Sequence, residues 1–199
     1  GRKQSRALAR SMRLTKETVG ANVLNRAFNS SYLGGDNKEL CATDHPNITG
    51  GTYQNELNTA ADLSEAALEQ ALIDIGDWED DRGLKIAVSQ QRLILPTALQ
   101  FEADRILSSG LRVATADNDI NSLNNMGKFN DVVINNYLTD ADAWFIKTDA
   151  TDGLKVFERK AHTFAKANVL DTGNLKYKGA SRCRFGWSDP KGIIGSPGA

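Results

Sequence analysis

Two histidines, His45 and His162, bound the nucleophilic chemistry open to this chain, because a Ser-His-Asp or Cys-His arrangement must use one of them. Neither stands in a recognisable nucleophile context. His45 lies in Asp44-His45-Pro46, a turn-like composition, and is read as a loop residue. Cys41 and Cys183 are far apart and lack C-x-x-C spacing, so the sequence suggests neither a zinc site nor a disulfide framework, and the two thiols are expected to be unjoined. No Gly-rich phosphate loop of either common spacing occurs. The pairs Asp117/Asp119 and Asp140/Asp142 have the spacing of divalent-cation ligands, but neither continues with the Gly and bidentate Glu of a calcium loop, and solvated turns are the better reading. Trp144, Phe145 and Trp187 read as core rather than as a ligand platform. No residue is assigned to catalysis, to a cofactor or to a metal.

The elements that would position any site begin with residues 2–29, the longest helical pattern in the chain. Leu8, Met12, Val19, Val23 and Ala27 share one stripe, while Arg2, Arg6, Arg10, Arg13 and Glu17 recur at three- and four-residue steps on another. The first sixteen residues hold six bases and no acid. A helix of about 25 residues is ~37 Å long, and Gly20 costs it roughly 1 kcal/mol without ending it. The basic face has three readings: a solvated surface, a nucleic-acid binder, or a strut that meets an acidic surface of another subunit. Starting in mid-helix without a capping residue, the sequence suggests a piece of a longer polypeptide.

With 40% hydrophobic residues the 199-residue chain can bury a real core in one large domain or two small ones. Its 24 bases against 25 acids argue against wholesale nucleic-acid binding. The charge is nevertheless uneven, since residues 62–81 hold eight acids and no base. No apolar run is long enough to span a membrane and no signal-peptide pattern opens the chain, so a soluble, cytoplasmically made protein is expected.

Gly34-Gly35-Asp36-Asn37 ends the first helix, and residues 38–60 read as a long irregular connection. A capping-box-like Thr59 to Asp62 predicts a short helix with Leu68, Ala71, Leu72 and Ile75 on one face and Gly76 at its end. Leu93-Ile94-Leu95, closed by Pro96, predicts a buried strand, and Pro96 opens a helix through Leu99, Ala103, Ile106 and Leu107. Residues 115–128 read as an exposed loop. Val132-Val133-Ile134 and Ala143 to Ile146 predict two strands, or a strand and a turn, of one small sheet. Residues 154–187 predict two long strands around the turn Asp171-Thr172-Gly173-Asn174, and residues 188–199 an extended tail.

In that order the pieces resemble a known family. The closing stretch NLKYKGASRCRFGWSDPKGIIGSPGA (residues 174–199) and the stretch NNMGKFNDVVINNYLTDADAWFIKT (residues 124–148) are similar to tailed-phage major capsid proteins related to the Mu-type head subunit. Leu93-Ile94-Leu95-Pro96 ahead of a helix, and Asp44-His45-Pro46 with Gly50-Gly51-Thr52, extend the likeness over most of the chain. The resemblance implies an α+β fold of the Hong Kong 97 type, shared with herpesvirus capsid floors: a long spine helix, a peripheral domain of long strands, and an axial domain of helices around a small sheet. It places the peripheral domain at residues 1–57, ending the spine helix, and at 153–199, with the axial domain at 58–152. The arm and extended loop that precede the spine in such proteins have no counterpart in this sequence, and no residue matches the Lys and Asn that crosslink some relatives.

The resemblance implies a structural, non-enzymatic subunit that self-assembles as hexamers and pentamers into an icosahedral head around packaged DNA. It also implies scaffold, portal and decoration partners, no membrane, and a place in the virion after assembly in the host cytoplasm. The alternative is a nucleic-acid-binding protein that uses the basic first helix; a hydrolase hidden in the loops is a third reading. The 199 residues alone are expected not to close shells, since arms and loops supply much of the interface area. Reversing Arg6 and Arg10 to Glu is expected to impair assembly, and reversing Glu65 and Glu69 to restore part of it.

Overall fold

A computed structural model describes residues 2–112, 119–129, 131–168, 173 and 175–199. It is a mixed helix and sheet structure, an α+β fold as expected. The first helix, α1 (Arg2–Asn25), is 24 residues long, and its C-terminal half is the part that reaches the core: Ala21 and Leu24 are buried, and Ala27 follows in the turn that ends it. Val19, placed on the apolar stripe by its spacing, is instead 45% exposed. The packing stripe runs through Gly20, where a Cβ would lie 3.3 Å from the Phe185 ring. Gly20 thus trades helix propensity for a close approach.

Residues 38–60 are irregular, as their composition predicts, apart from a two-residue antiparallel pair, β1 (His45–Pro46) with β2 (Thr52–Tyr53). The next helix, α2 (Glu65–Asp77), starts later than the Thr59 pattern predicts. Ser64 is its N-cap, accepting from Ala67 N at 3.2 Å, and Gly76 lies inside its last turn. Residues before the cap are kept out of the helix because Ala61 bonds Ser196 Oγ through both N and O and also accepts from Trp144 Nε1 at 3.0 Å. Tertiary partners therefore override the local capping signal.

After β3 (Gln90–Leu95), Pro96 opens a 3-10 turn that leads into α3 (Gln100–Ser108). The stretch read as an exposed loop is only partly so. Asp117 and Asn118 lie outside the described residues, but Asn121 is buried and caps the four-residue α4 (Ser122–Asn125), accepting from Leu123 N at 3.0 Å and donating to Ile106 O.

Next come β4 (Val132–Ile134), β5 (Trp144–Thr148), β6 (Leu154–Asn168), β7 (Leu175–Trp187) and β8 (Ile193–Ser196). The central sheet has the order β4-β3-β5-β8, with β3 and β4 parallel and the other neighbours antiparallel. Leu93 pairs Ile146, which pairs Ile194. That row faces a core made with Ala67, Leu68, Ala71 and Ile75 of α2 and Ala103 and Ile106 of α3. The alternate residues Ile94, Phe145 and Ile193 face a second cluster with Leu24, Ala27, Leu40 and Cys41. Burial on both faces explains why these strands read as continuous apolar runs instead of alternating.

The C-terminal tail expected from Pro and Gly content is instead strand β8, fully buried at Ile193, Ile194 and Ser196. Glycine serves packing there. A Cβ on Gly195 would lie 2.6 Å from the Phe145 ring, and one on Gly192 would lie 2.5 Å from Gly153 Cα. The long strands β6 and β7 form a separate two-stranded ribbon, and among the described residues its only helical partner in extensive contact is α1. Of the turn expected between them, Asp171, Thr172 and Asn174 lie outside the described residues.

Candidate interaction surfaces

The residues flagged for chemistry do not converge. His162 is exposed on β6, whereas His45 is buried. Cys41 and Cys183 are free thiols, and burial pushes the Cys41 thiol well above its usual range, away from nucleophilic use. Asp140 Oδ1 caps Asp142 N at 3.1 Å within a bend. Among the described residues no group of three or more His, Cys, Asp or Glu side chains is placed to hold a metal ion, and no helix is long and apolar enough to cross a membrane.

His45 is instead a structural hub, and the residue that organises it, Asn55, carries no sequence signal. Asn55 Oδ1 accepts from Ala42 N and faces His45 Nε2, both at 2.9 Å. Its Nδ2 donates to Leu40 O, Pro190 O and Ile193 O at 2.7, 2.9 and 3.1 Å. Three surrounding carbonyls fix which end of the amide points where. Asp36 Oδ2 sits 2.6 Å from His45 Nδ1, and the Tyr53 ring stacks on the imidazole with centroids 5.1 Å apart. Lys191 Nζ lies 4.4 Å from the Tyr53 ring centre. One buried side chain thus ties the irregular segment to the end of the chain. Nothing in the polar composition of residues 43–60 distinguishes Asn55 from its neighbours, because the partners it needs lie at residues 190 and 193.

The surface has a different character. Arg6, Arg10 and Arg13 are exposed on α1, and among the described residues no acid comes within 4.0 Å of them. The ribbon that α1 packs against is exposed along most of its length, including Val156, Phe157 and Phe164. Residues 2–25 and 154–187 together hold 14 of the 24 Lys and Arg but 3 of the 25 Asp and Glu. The remaining residues hold the other 10 bases and 22 acids. A chain of net charge −1 is therefore split into a strongly basic lobe and a strongly acidic body. One internal link across α1 and the ribbon is Lys16 to Glu158 at 2.9 Å, which lowers the Glu158 carboxyl and raises the Lys16 ammonium.

The acidic run of residues 62–81 is only partly available to a partner. Glu65, an exposed acid on the sequence pattern, is bonded to Arg112 at 3.3 Å with its side chain 10% exposed. It is not a surface to be matched by α1. Asp80 accepts from Arg82 N and Leu84 N at 2.7 and 2.9 Å, bonds that hold its carboxyl below the usual range. Glu69, half-buried, and Asp77, exposed but holding Lys85 Nζ at 3.0 Å, flank Ile73 on the outer side of α2, and Ile73 is 58% exposed.

A family model described as phage capsid protein matches residues 2–196. No curated protein matches the chain. Among solved structures, a phage-related protein from Bordetella bronchiseptica superposes with a TM-score of 0.55 at 10% identity, over 98% of this chain and 63% of that one. At that identity the likeness is one of fold, and the chain spans less than two thirds of the length of that protein.

Proposed function

The chain belongs to the phage capsid protein family, and from that premise we propose that it is the major head subunit that closes an icosahedral shell around the phage genome. Membership makes it a structural component of the virion, of a non-enzymatic class that works as a multimer. The family match over residues 2–196 carries the reading.

In this reading α1 is the spine helix, and the peripheral domain comprises residues 1–57 and 153–199. Residues 58–152 form the axial domain, to whose sheet β8 returns. The packing of α1 on the long ribbon, and of α2 and α3 on the sheet, supports the division. Hexamers and pentamers of the subunit meet scaffold, portal and decoration proteins, and DNA lies inside without sequence-specific contacts. A second reading, nucleic-acid binding, is favoured by the basic lobe alone.

The test is expression of the gene that encodes the chain in a bacterial host, followed by negative-stain microscopy of the lysate. Closed, uniform particles that contain this chain are expected. Dispersed protein that binds duplex DNA with a steep salt dependence would overturn the reading in favour of the second.

A further inference from the structure

Glu158, the acid of β6, is taken by Lys16 of α1, and further along the ribbon like charges meet. Lys160 is the cross-strand partner of Arg182, and Phe157 stands opposite Arg184. Directly opposed like charges destabilise a strand pair. Among the described residues no Asp or Glu lies within 4.0 Å of Lys160 or Arg182. A two-stranded ribbon is also marginal by itself, and this one leaves Phe157 62% exposed. Such a surface is built to be covered, and by something acidic with an apolar centre.

The same chain carries that complement. On α2, Glu69, Ile73 and Asp77 follow one another at four-residue steps and so share one stripe. Ile73 is exposed while the opposite face of the helix, at Leu68, Ala71 and Ile75, is buried. An exposed apolar residue between two carboxylates matches an exposed Phe beside a basic pair, the arrangement of an apolar anchor within a charged rim. Resting on the capsid reading, we infer that the outer face of α2 in one copy docks on the β6–β7 ribbon of the next. The contact joins two different surfaces, head to tail, so it propagates around a ring or across a shell instead of ending at a dimer. The charge split between lobe and body orients the approach and suppresses lobe-to-lobe encounters.

A charge-swap experiment on the full chain tests it, with sedimentation velocity as the readout and thermal melting as the control for folding. One variant carries Lys160→Glu with Arg182→Glu, the other Glu69→Lys with Asp77→Lys. Lys160 and Arg182 are exposed, so the ribbon variant is expected to melt as the wild type does. Glu69 is half-buried and Asp77 holds Lys85 at 3.0 Å, so the α2 variant is expected to fold and melt slightly lower, an exposed pair being worth about 0–1 kcal/mol. Wild-type self-association should weaken at least about tenfold between 50 and 500 mM salt. Each variant alone should associate about 100-fold more weakly than wild type, and an equimolar mixture should recover association, because each then meets an opposite charge on the other. A folded mixture that stays dispersed overturns the docking, as does either variant associating like wild type. So does a ribbon variant that keeps association and loses only affinity for duplex DNA. Shells that form with every variant sink the docking but leave the capsid reading standing.

Discussion

At the scale of single residues, the strongest constraint is Asn55, whose amide satisfies carbonyls from residues 40, 190 and 193 at once. Asn55→Ala orphans several buried polar groups, each worth about 1–3 kcal/mol, so a loss of roughly 3 kcal/mol is expected in denaturant titration. Asn55→Asp keeps the shape yet turns an acceptor toward three carbonyls, and it should cost at least as much. An Asp variant as stable as wild type would show that shape, not donation, is what matters. Glu56 supplies a pH signature. Burial first, and Glu39 beside it second, push its carboxyl up to about 7 from an ordinary 4.5. Between about pH 4.5 and 7 the native state therefore binds more protons than the unfolded chain, and stability falls as pH rises through that window. Glu56→Gln should flatten that part of the stability profile and raise the melting temperature at pH 8. A profile unchanged by the substitution would assign the slope to other groups.

Elements in this protein are set by what they touch. Strand β8 forms because Ile193 and Ile194 fill opposite faces of the sheet while their backbone pairs with β5. Deleting residues 188–199 should therefore abolish cooperative unfolding, although Pro and Gly content marks them as a tail. A truncated chain with a wild-type thermal transition would refute this. A finer test is Gly192→Ala, which presses a Cβ onto Gly153 backbone atoms that have no side chain to move aside. Overpacking of this kind costs about 1–3 kcal/mol, and Gly35→Ala, where nothing lies within 4 Å, is the matched control. The elements that read most clearly in the sequence were those with a long period or a continuous apolar run: α1, β3, and the β6–β7 ribbon. The start of α2 and the end of the chain misread because Ser196 and Trp144, remote in sequence, decide the backbone at Ala61.

On the scale of the whole molecule, stability and charge are both unevenly distributed. The sheet is buried on both faces, whereas nearly all of β6 is exposed and, among the described residues, only β7 pairs with it. Native-state hydrogen exchange of the unassembled chain should accordingly show ribbon amides opening well before those of β5, by local rather than global unfolding. Equal protection in β5 and β6 would mean that the ribbon is covered in the single subunit and has no need of a neighbour. The same ribbon and α1 carry most of the positive charge, so the least anchored part of the fold is also the part with the strongest pull on an acidic partner.

By itself the sequence determined the helix at the front, the buried apolar strands and the paired long strands, because local periodicity and residue type are properties of neighbours in the chain. It also showed a basic front and an acidic middle. That α1 and residues 154–187 form one basic lobe, that Glu65 is spent on Arg112, and that Asn55 closes the irregular segment onto β8 were decided only by tertiary structure. Each of those depends on groups at least 47 residues apart along the chain, and no local pattern encodes which distant partner a charge or an amide will meet.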